Sequence, residues 1–297
     1  MDPHLTWNLV TDVRQMLEYQ FMVNALQAGT IVAVVAGAVG WFMVLRRESF
    51  AGHTLALIGF SGAAAATWLA IPVNFGYFGA CIAAAVVIGW LTVGKGGNST
   101  EKSAVIGIVQ AYALAAGMLF IGLYKGFSSG LTSMLFGTIA GVSRSQVETL
   151  AVAAVVCLVG LVALGRPLLW TSFDPLTAAA RGVPAVAVGI AFLVLLGVAS
   201  AGTSQVTGSL LVFALLVAPP AAAQRLTANP VRSLVLSVVI ALAVTWLGMT
   251  FAFYTTYPIG FWVASFGYGA YLCGIGAGSY LERRSRQPVR TPEPVAG

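Results

Sequence analysis

Residues Ala151-Val152-Ala153-Ala154-Val155-Val156-Cys157-Leu158-Val159-Gly160-Leu161-Val162-Ala163-Leu164 contain no charge, hydroxyl or amide side chain and show no alternation of apolar and polar positions. A membrane β-strand needs that alternation over about ten residues, whereas a helix crossing ~30 Å of hydrocarbon needs about 20 mostly apolar residues in succession. The helical pattern recurs: 234–244 is equally free of alternation, and residues 49–94, 182–224 and 233–281 contain no Asp, Glu, Lys or Arg. Of the 297 residues, 59% are hydrophobic and 8% charged, against roughly 25% charged in soluble chains. A water-soluble domain would have too few charges for its exposed faces, and a disordered chain would bury none of this apolar surface. The reading is therefore an all-α, polytopic transmembrane bundle.

Dividing the chain at charges and turn signals gives about nine spans, near 21–45, 51–70, 75–94, 104–124, 148–165, 185–201, 207–224, 232–255 and 259–281. They make one transmembrane domain, 21–281, between an outer segment, 1–20, and a Pro-, Arg- and Thr-rich tail, 282–297, expected to be disordered. Residues 1–20 lack the basic-then-apolar order of a cleavable signal peptide. Alternating sides through nine spans gathers twelve of the fifteen basic residues on one face, leaving Arg14, Lys125 and Arg144 on the other. The positive-inside rule makes that face cytoplasmic, with the N-terminus outside and the C-terminus inside the cell membrane. The same scatter of basic residues at span ends argues against a nucleic-acid partner. Cys81, Cys157 and Cys273 all lie in apolar segments, which is neither a disulfide framework nor zinc spacing.

Two connections exceed a turn. The outer one, 125–147, holds an apolar Met134-Leu135-Phe136-Gly137, too short to span and readable as re-entrant or interfacial. The inner one, 166–184, encodes a short helix. Asp174 is a capping residue, Pro175 suits the first helical position, Ala178-Ala179-Ala180 favour helix, and Gly182 stops it with Pro184 just beyond.

Ionisable groups at membrane depth mark transport paths, and here His53 is the sole residue of that kind with a physiological pKa. It can be a metal ligand or a packing histidine bonded to a carbonyl. Gln110, Gln205, Tyr254 and Thr256, with Asn24, Gln27 and Asn74, can line a wet path or bridge helices. Cys157 is readable as a soft ligand or a small hydrophobe. Every Asp and Glu falls at or beyond a span end, which weakens a proton-coupled carrier. Gly89-Trp90-Leu91-Thr92-Val93-Gly94-Lys95-Gly96 imitates a phosphate loop, but Gly96 stands where Ser or Thr belongs and the segment closes a helix. ATP-driven work would then require a partner chain. Gly274 and Gly278, four apart, read as tight packing or a dimer face.

Four segments together resemble the membrane permeases of ATP-binding-cassette importers for zinc, manganese and iron: Val44-Leu45-Arg46-Arg47-Glu48-Ser49-Phe50-Ala51-Gly52-His53, Leu135-Phe136-Gly137-Thr138-Ile139-Ala140-Gly141, Ser172-Phe173-Asp174-Pro175 with Ala179-Ala180-Arg181-Gly182-Val183-Pro184, and Gly208-Ser209-Leu210 through Ala218-Pro219-Pro220-Ala221. The resemblance implies a transport subunit rather than an enzyme. It implies two permease copies, two cytosolic ATP-binding-cassette subunits that bind the ATP, and an extracytoplasmic metal-binding protein. It implies no permanently bound cofactor, a transported zinc or manganese ion, and docking of the ATPase on Asp174, Pro175, Ala179, Arg181 and Gly182. Where such permeases carry Gly-Asp-x-x-x-His, this chain has Gly52-His53 with Leu57 in the histidine slot, and Thr256 precedes Tyr257-Pro258-Ile259-Gly260 where an acidic residue is frequent. The implied path is then His53 with the neutral donors Gln110, Gln205, Tyr254 and Thr256. The alternatives are an ATP-independent channel or secondary carrier, or a permease of this type moving a non-metal or chelated substrate.

Overall fold

The computed structural model describes residues 15–93, 99–124, 142–208 and 212–285. Ten helices are labelled here in chain order: α1 Gln20–Leu45, α2 Ser49–Trp68, α3 Val73–Thr92, α4 Ser99–Leu123, α5 Arg144–Phe173, α6 Pro175–Ala180, α7 Ala185–Thr207, α8 Val212–Leu226, α9 Pro230–Tyr254 and α10 Ile259–Ser285. Among the described residues there is no strand. Among the described residues eight helices are long and apolar enough to cross a membrane, and α8 is a shorter apolar helix, so the nine-span order holds with α6 between the fifth and sixth.

Several boundaries differ from expectation, chiefly at C-terminal ends. α5 continues through Arg166 and Pro167 to Phe173, so the connection expected over 166–184 begins only at Asp174. Pro167 removes one backbone donor, yet Leu168 beside it is fully buried and the helix continues to Phe173. α7 runs past residue 201 to Thr207, and α10 past 281 to Ser285, so residues 282–285 are helical rather than tail. The expectations for 1–14, 125–141 and 286–297 fall outside the described residues.

α1 is the central helix, packed by α5, α7, α8 and α9; α2 sits between α3 and α4, α3 also meets α7, and α10 covers α8 and α9. Backbone approach decides several of these contacts. Pro220 has no N–H to bond the carbonyl of Leu216, and Gly40 of α1 lies against that carbonyl so closely that a Cβ would stand 2.3 Å from its oxygen. Gly62 of α2 and Gly76 of α3 approach each other likewise, each 2.2 Å from the other's carbonyl oxygen at the position a Cβ would take. Gly274 and Gly278 pack on Ala222 and Arg225 of α8, which settles that pair as packing within the chain. Polar cross-ties follow the same seam: Ser237 Oγ donates to the carbonyl of Gly37 at 2.7 Å, Trp41 Nε1 to Ser233 Oγ at 2.8 Å, and Gln224 Nε2 to the Trp41 carbonyl at 2.9 Å. The opposite surface of α5 exposes Val152, Val155, Val159 and Val162, an apolar stripe suited to lipid rather than water.

The ends of α1, α3 and α5 meet at one end of the bundle. Arg46 reaches Thr171, and Gly189 of α7 lies against both Val93 and Arg46. This end carries Arg46, Arg47, Lys102 and Arg181, and is called the basic end below.

Candidate functional site: a capped helix and a lone histidine

α6 has six residues, far too few to hold a helix unaided. Its ends supply the order. Asp174 accepts a hydrogen bond from the Thr177 backbone N–H at 3.0 Å and a second from the Thr177 hydroxyl, and Pro175 occupies the first position. At the other end Gly182 N–H donates to the Ala179 carbonyl and Val183 N–H to the Ala178 carbonyl, each at 3.0 Å, with Gly182 left-handed at φ 69°. That is the paired-bond stop in which glycine is favoured. Ala178 is buried and anchors the turn, while Phe173 and Leu176 are 60% and 85% exposed. Arg181 lies over the Trp170 ring at 4.5 Å, which ties α6 back to the last turn of α5. The hydroxyl bond from Thr177, with the backbone bond, holds the exposed Asp174 carboxyl below the usual carboxylate range. Asp174, Pro175, Ala179, Arg181 and Gly182 therefore form one unit at the basic end; Ala179 is exposed and Ala178 is the residue that packs.

The expected path residues are not gathered in the same way. His53 lies in the second turn of α2 near the basic end, half-buried, its ring edge-on to Phe213 of α8 with centroids 4.9 Å apart and its Nδ1 buried without a hydrogen-bond partner among the described residues. An imidazole nitrogen left unbonded in this way is a chemically available donor atom for a metal. Gln110 accepts from the Thr54 hydroxyl at 2.8 Å and so bridges α4 to α2, next to His53 in sequence. Tyr254 and Thr256 sit at the far end of α9, Tyr254 donating to Gln15 at 3.5 Å and Thr256 exposed. The Gln205 side chain lies outside the described residues. Leu57, in the slot where a second histidine was looked for, is buried packing. Cys157 Sγ faces the Leu195 carbonyl at 3.6 Å, as a small hydrophobe with a weak donor does. Among the described residues no three His, Cys, Asp or Glu side chains converge as a metal cage.

Two cavities flank these groups. One of about 630 Å³ lies between α1, α5 and α9 in the half away from the basic end, lined by Gln27, Thr30, Trp246 and Thr250 among others. Another of about 370 Å³ opens at the basic end beside Arg46, Arg47, Glu48, Lys102 and Ser103. Glu48, missed in the sequence as a mere span-end acid, is largely withdrawn from solvent there. Desolvation pushes its carboxyl upward while Arg46 and Lys102 pull it down. Its ion-pair partner Arg46 is only two residues away, but the burial and the approach of Lys102 from α4 come from packing.

The chain was compared with known proteins. Residues 18–275 match the model of the ABC 3 transport family. The manganese import system permease protein ScaB of Streptococcus parasanguinis is 34% identical over 74% of this chain and 76% of its own length. A probable iron transport system membrane protein of Haemophilus influenzae is 27% identical over 80% of this chain and 82% of its own. Among solved structures, PsaBC from Streptococcus pneumoniae in complex with Fab superposes with a TM-score of 0.81 at 26% identity, covering 93% of this chain and 99% of that one. With the family model spanning most of the chain, and a ten-helix order that carries a capped helix at its basic end, the protein is a member of the ABC 3 transport family.

Proposed function

We propose that this chain is the permease subunit of an ATP-binding-cassette importer for a divalent transition metal, with manganese or zinc as cargo and a separate ATPase chain supplying the work. The observation that carries the reading is α6. A six-residue helix fastened at both ends, with Phe173 and Leu176 left exposed beside it, is a rigid knob suited to a groove on a partner. The basic end is then cytoplasmic by its Arg and Lys residues, and the N-terminus is outside. Two copies of the chain over two ATPase subunits, fed by an outer metal-binding protein, form the working assembly. ATP-driven closure of the ATPases moves α6 and exchanges outward for inward access.

His53 is the proposed metal contact, through its unbonded Nδ1. With neutral oxygens as its companions the site holds a cation weakly, as a step on a path requires. Manganese is favoured by the likeness to the manganese import permease ScaB, and zinc by the imidazole. The test is the metal content of cells lacking this chain, with ATP hydrolysis by the reconstituted complex titrated with each metal. A parent-like metal profile sinks the transport reading. Metal-stimulated hydrolysis that is unchanged in His53→Ala eliminates the ligand assignment.

A further inference from the structure

We propose that Arg46, Glu48 and Thr171 form a polar clamp that carries displacement of α6 to α2, the helix bearing His53; the proposal rests on the transport reading above. All three guanidinium nitrogens of Arg46 are committed. Nε and Nη2 donate to Glu48 Oε1 at 3.2 and 3.0 Å, and Nη1 donates to Thr171 Oγ1 at 3.3 Å. The guanidinium also lies over the Phe192 ring of α7, 5.4 Å from its centroid. The pair is sheltered, with the two side chains 14% and 23% exposed, so its attraction is screened less than that of a surface pair.

The positions of the three residues give the clamp its consequence. Thr171 stands three residues before Asp174, on the final turn of α5, and its hydroxyl is itself oriented by the Pro167 and Leu168 carbonyls. Arg46 closes α1, and Glu48 is the residue that begins α2, five before His53. Between Arg46 and Glu48 the chain makes a tight reversal in which Arg47 adopts φ 58° and Glu48 N–H bonds the Met43 carbonyl, so the two side chains turn as one body. A push on α6 therefore reaches Thr171 across the single residue Asp174, which ends α5 and caps α6, and passes to α2 through one planar, three-pronged donor.

Two further observations indicate that the clamp has a second arrangement to reach. Glu48 Oε2 is buried without a hydrogen-bond partner among the described residues, so the carboxylate has a bond to gain by shifting. The cavity of about 370 Å³ beside Arg46, Glu48, Lys102 and Ser103 provides the room.

The test uses the full permease with its ATPase in proteoliposomes, reading metal transported per ATP hydrolysed. Thr171→Val keeps the side chain's shape and removes the hydroxyl; Arg46→Lys keeps the charge and removes the fork. Each is expected to lower the ratio about two- to tenfold while ATP hydrolysis continues, the range that loss of one such bond gives. Thr171→Ser restores it, and the double variant is no worse than either single one, because both cut the same link. A wild-type ratio in Thr171→Val, failure of Thr171→Ser to rescue, or additive losses overturns the clamp. A wild-type complex that moves no metal defeats the transport reading instead. The clamp is then read from spin labels at positions 50 and 180, the latter exposed on α6 and outside the docking set, whose separation shifts with ATP in the parent. A shift unaltered by Thr171→Val overturns the proposal.

Discussion

Gly182→Ala isolates the backbone requirement of α6. An added Cβ there meets nothing within 4 Å, so the substitution changes no packing, and the whole effect lies in φ 69°. Holding an L-residue in that left-handed region costs about 1–2 kcal/mol, a factor of roughly 5–30 between formed and unformed states. Arg47 at φ 58° and Ala70 at φ 56° carry the same cost elsewhere, but each joins spans of 20 residues or more whose burial holds the turn. α6 has six residues and no such reserve. Gly182→Ala should therefore reduce metal transported per ATP at least about fivefold in the reconstituted complex, with the melting temperature of the purified permease nearly unchanged. Gly182→Asn provides the control, since asparagine tolerates the left-handed region, and it should retain more coupling than alanine despite its larger side chain. Alanine behaving as wild type would refute the argument. Asparagine proving worse than alanine would show that side-chain contact with the ATPase, and not φ, sets the requirement.

Other outcomes follow from the same geometry. Gly62→Ala drives a methyl to 2.2 Å from the Gly76 carbonyl oxygen, a backbone atom that has no rotamer to escape by. A loss of about 1–3 kcal/mol should appear as a lower melting temperature in detergent, with Cys81 labelled faster as α2 and α3 part. Asp174→Asn preserves the cap acceptor and should keep coupling, whereas Asp174→Ala should lose it, measured as transport per ATP. For pH, the Asp174 carboxyl is lowered by its bonds from Thr177, so its stabilisation is complete above the ordinary carboxylate range and fades only as pH falls through the lowered value. Coupling that depends on this cap should be flat from about pH 8 to 5. A decline within that window that Asp174→Asn abolishes would contradict the assignment. His53→Leu should lose metal stimulation of ATP hydrolysis while still packing against Phe213, which separates a ligand from a space-filling ring.

Much of the architecture was legible in the amino-acid order because its causes are local. Apolar length against the thickness of hydrocarbon defines the spans, and Asp174-Pro175 with Gly182 defines α6, since caps act within a few residues. The overrun of α5 past Pro167 was missed because the fully buried Leu168 holds the helix beyond the proline, and burial is a tertiary property. Polar residues inside spans were the least legible. Gln110, Tyr254 and Thr256 looked alike in sequence, yet the first bridges to Thr54, the second meets Gln15 and the third is exposed. A polar group in an apolar helix must find a partner or a cavity, and which one it finds depends on the neighbour that faces it. Arg46 and Thr171, 125 positions apart, came together only through packing. The chain's own order thus determined the membrane bundle and the capped helix, while the folded arrangement alone decided which buried polar atoms were satisfied, leaving His53 Nδ1 and Glu48 Oε2 unpaired among the described residues.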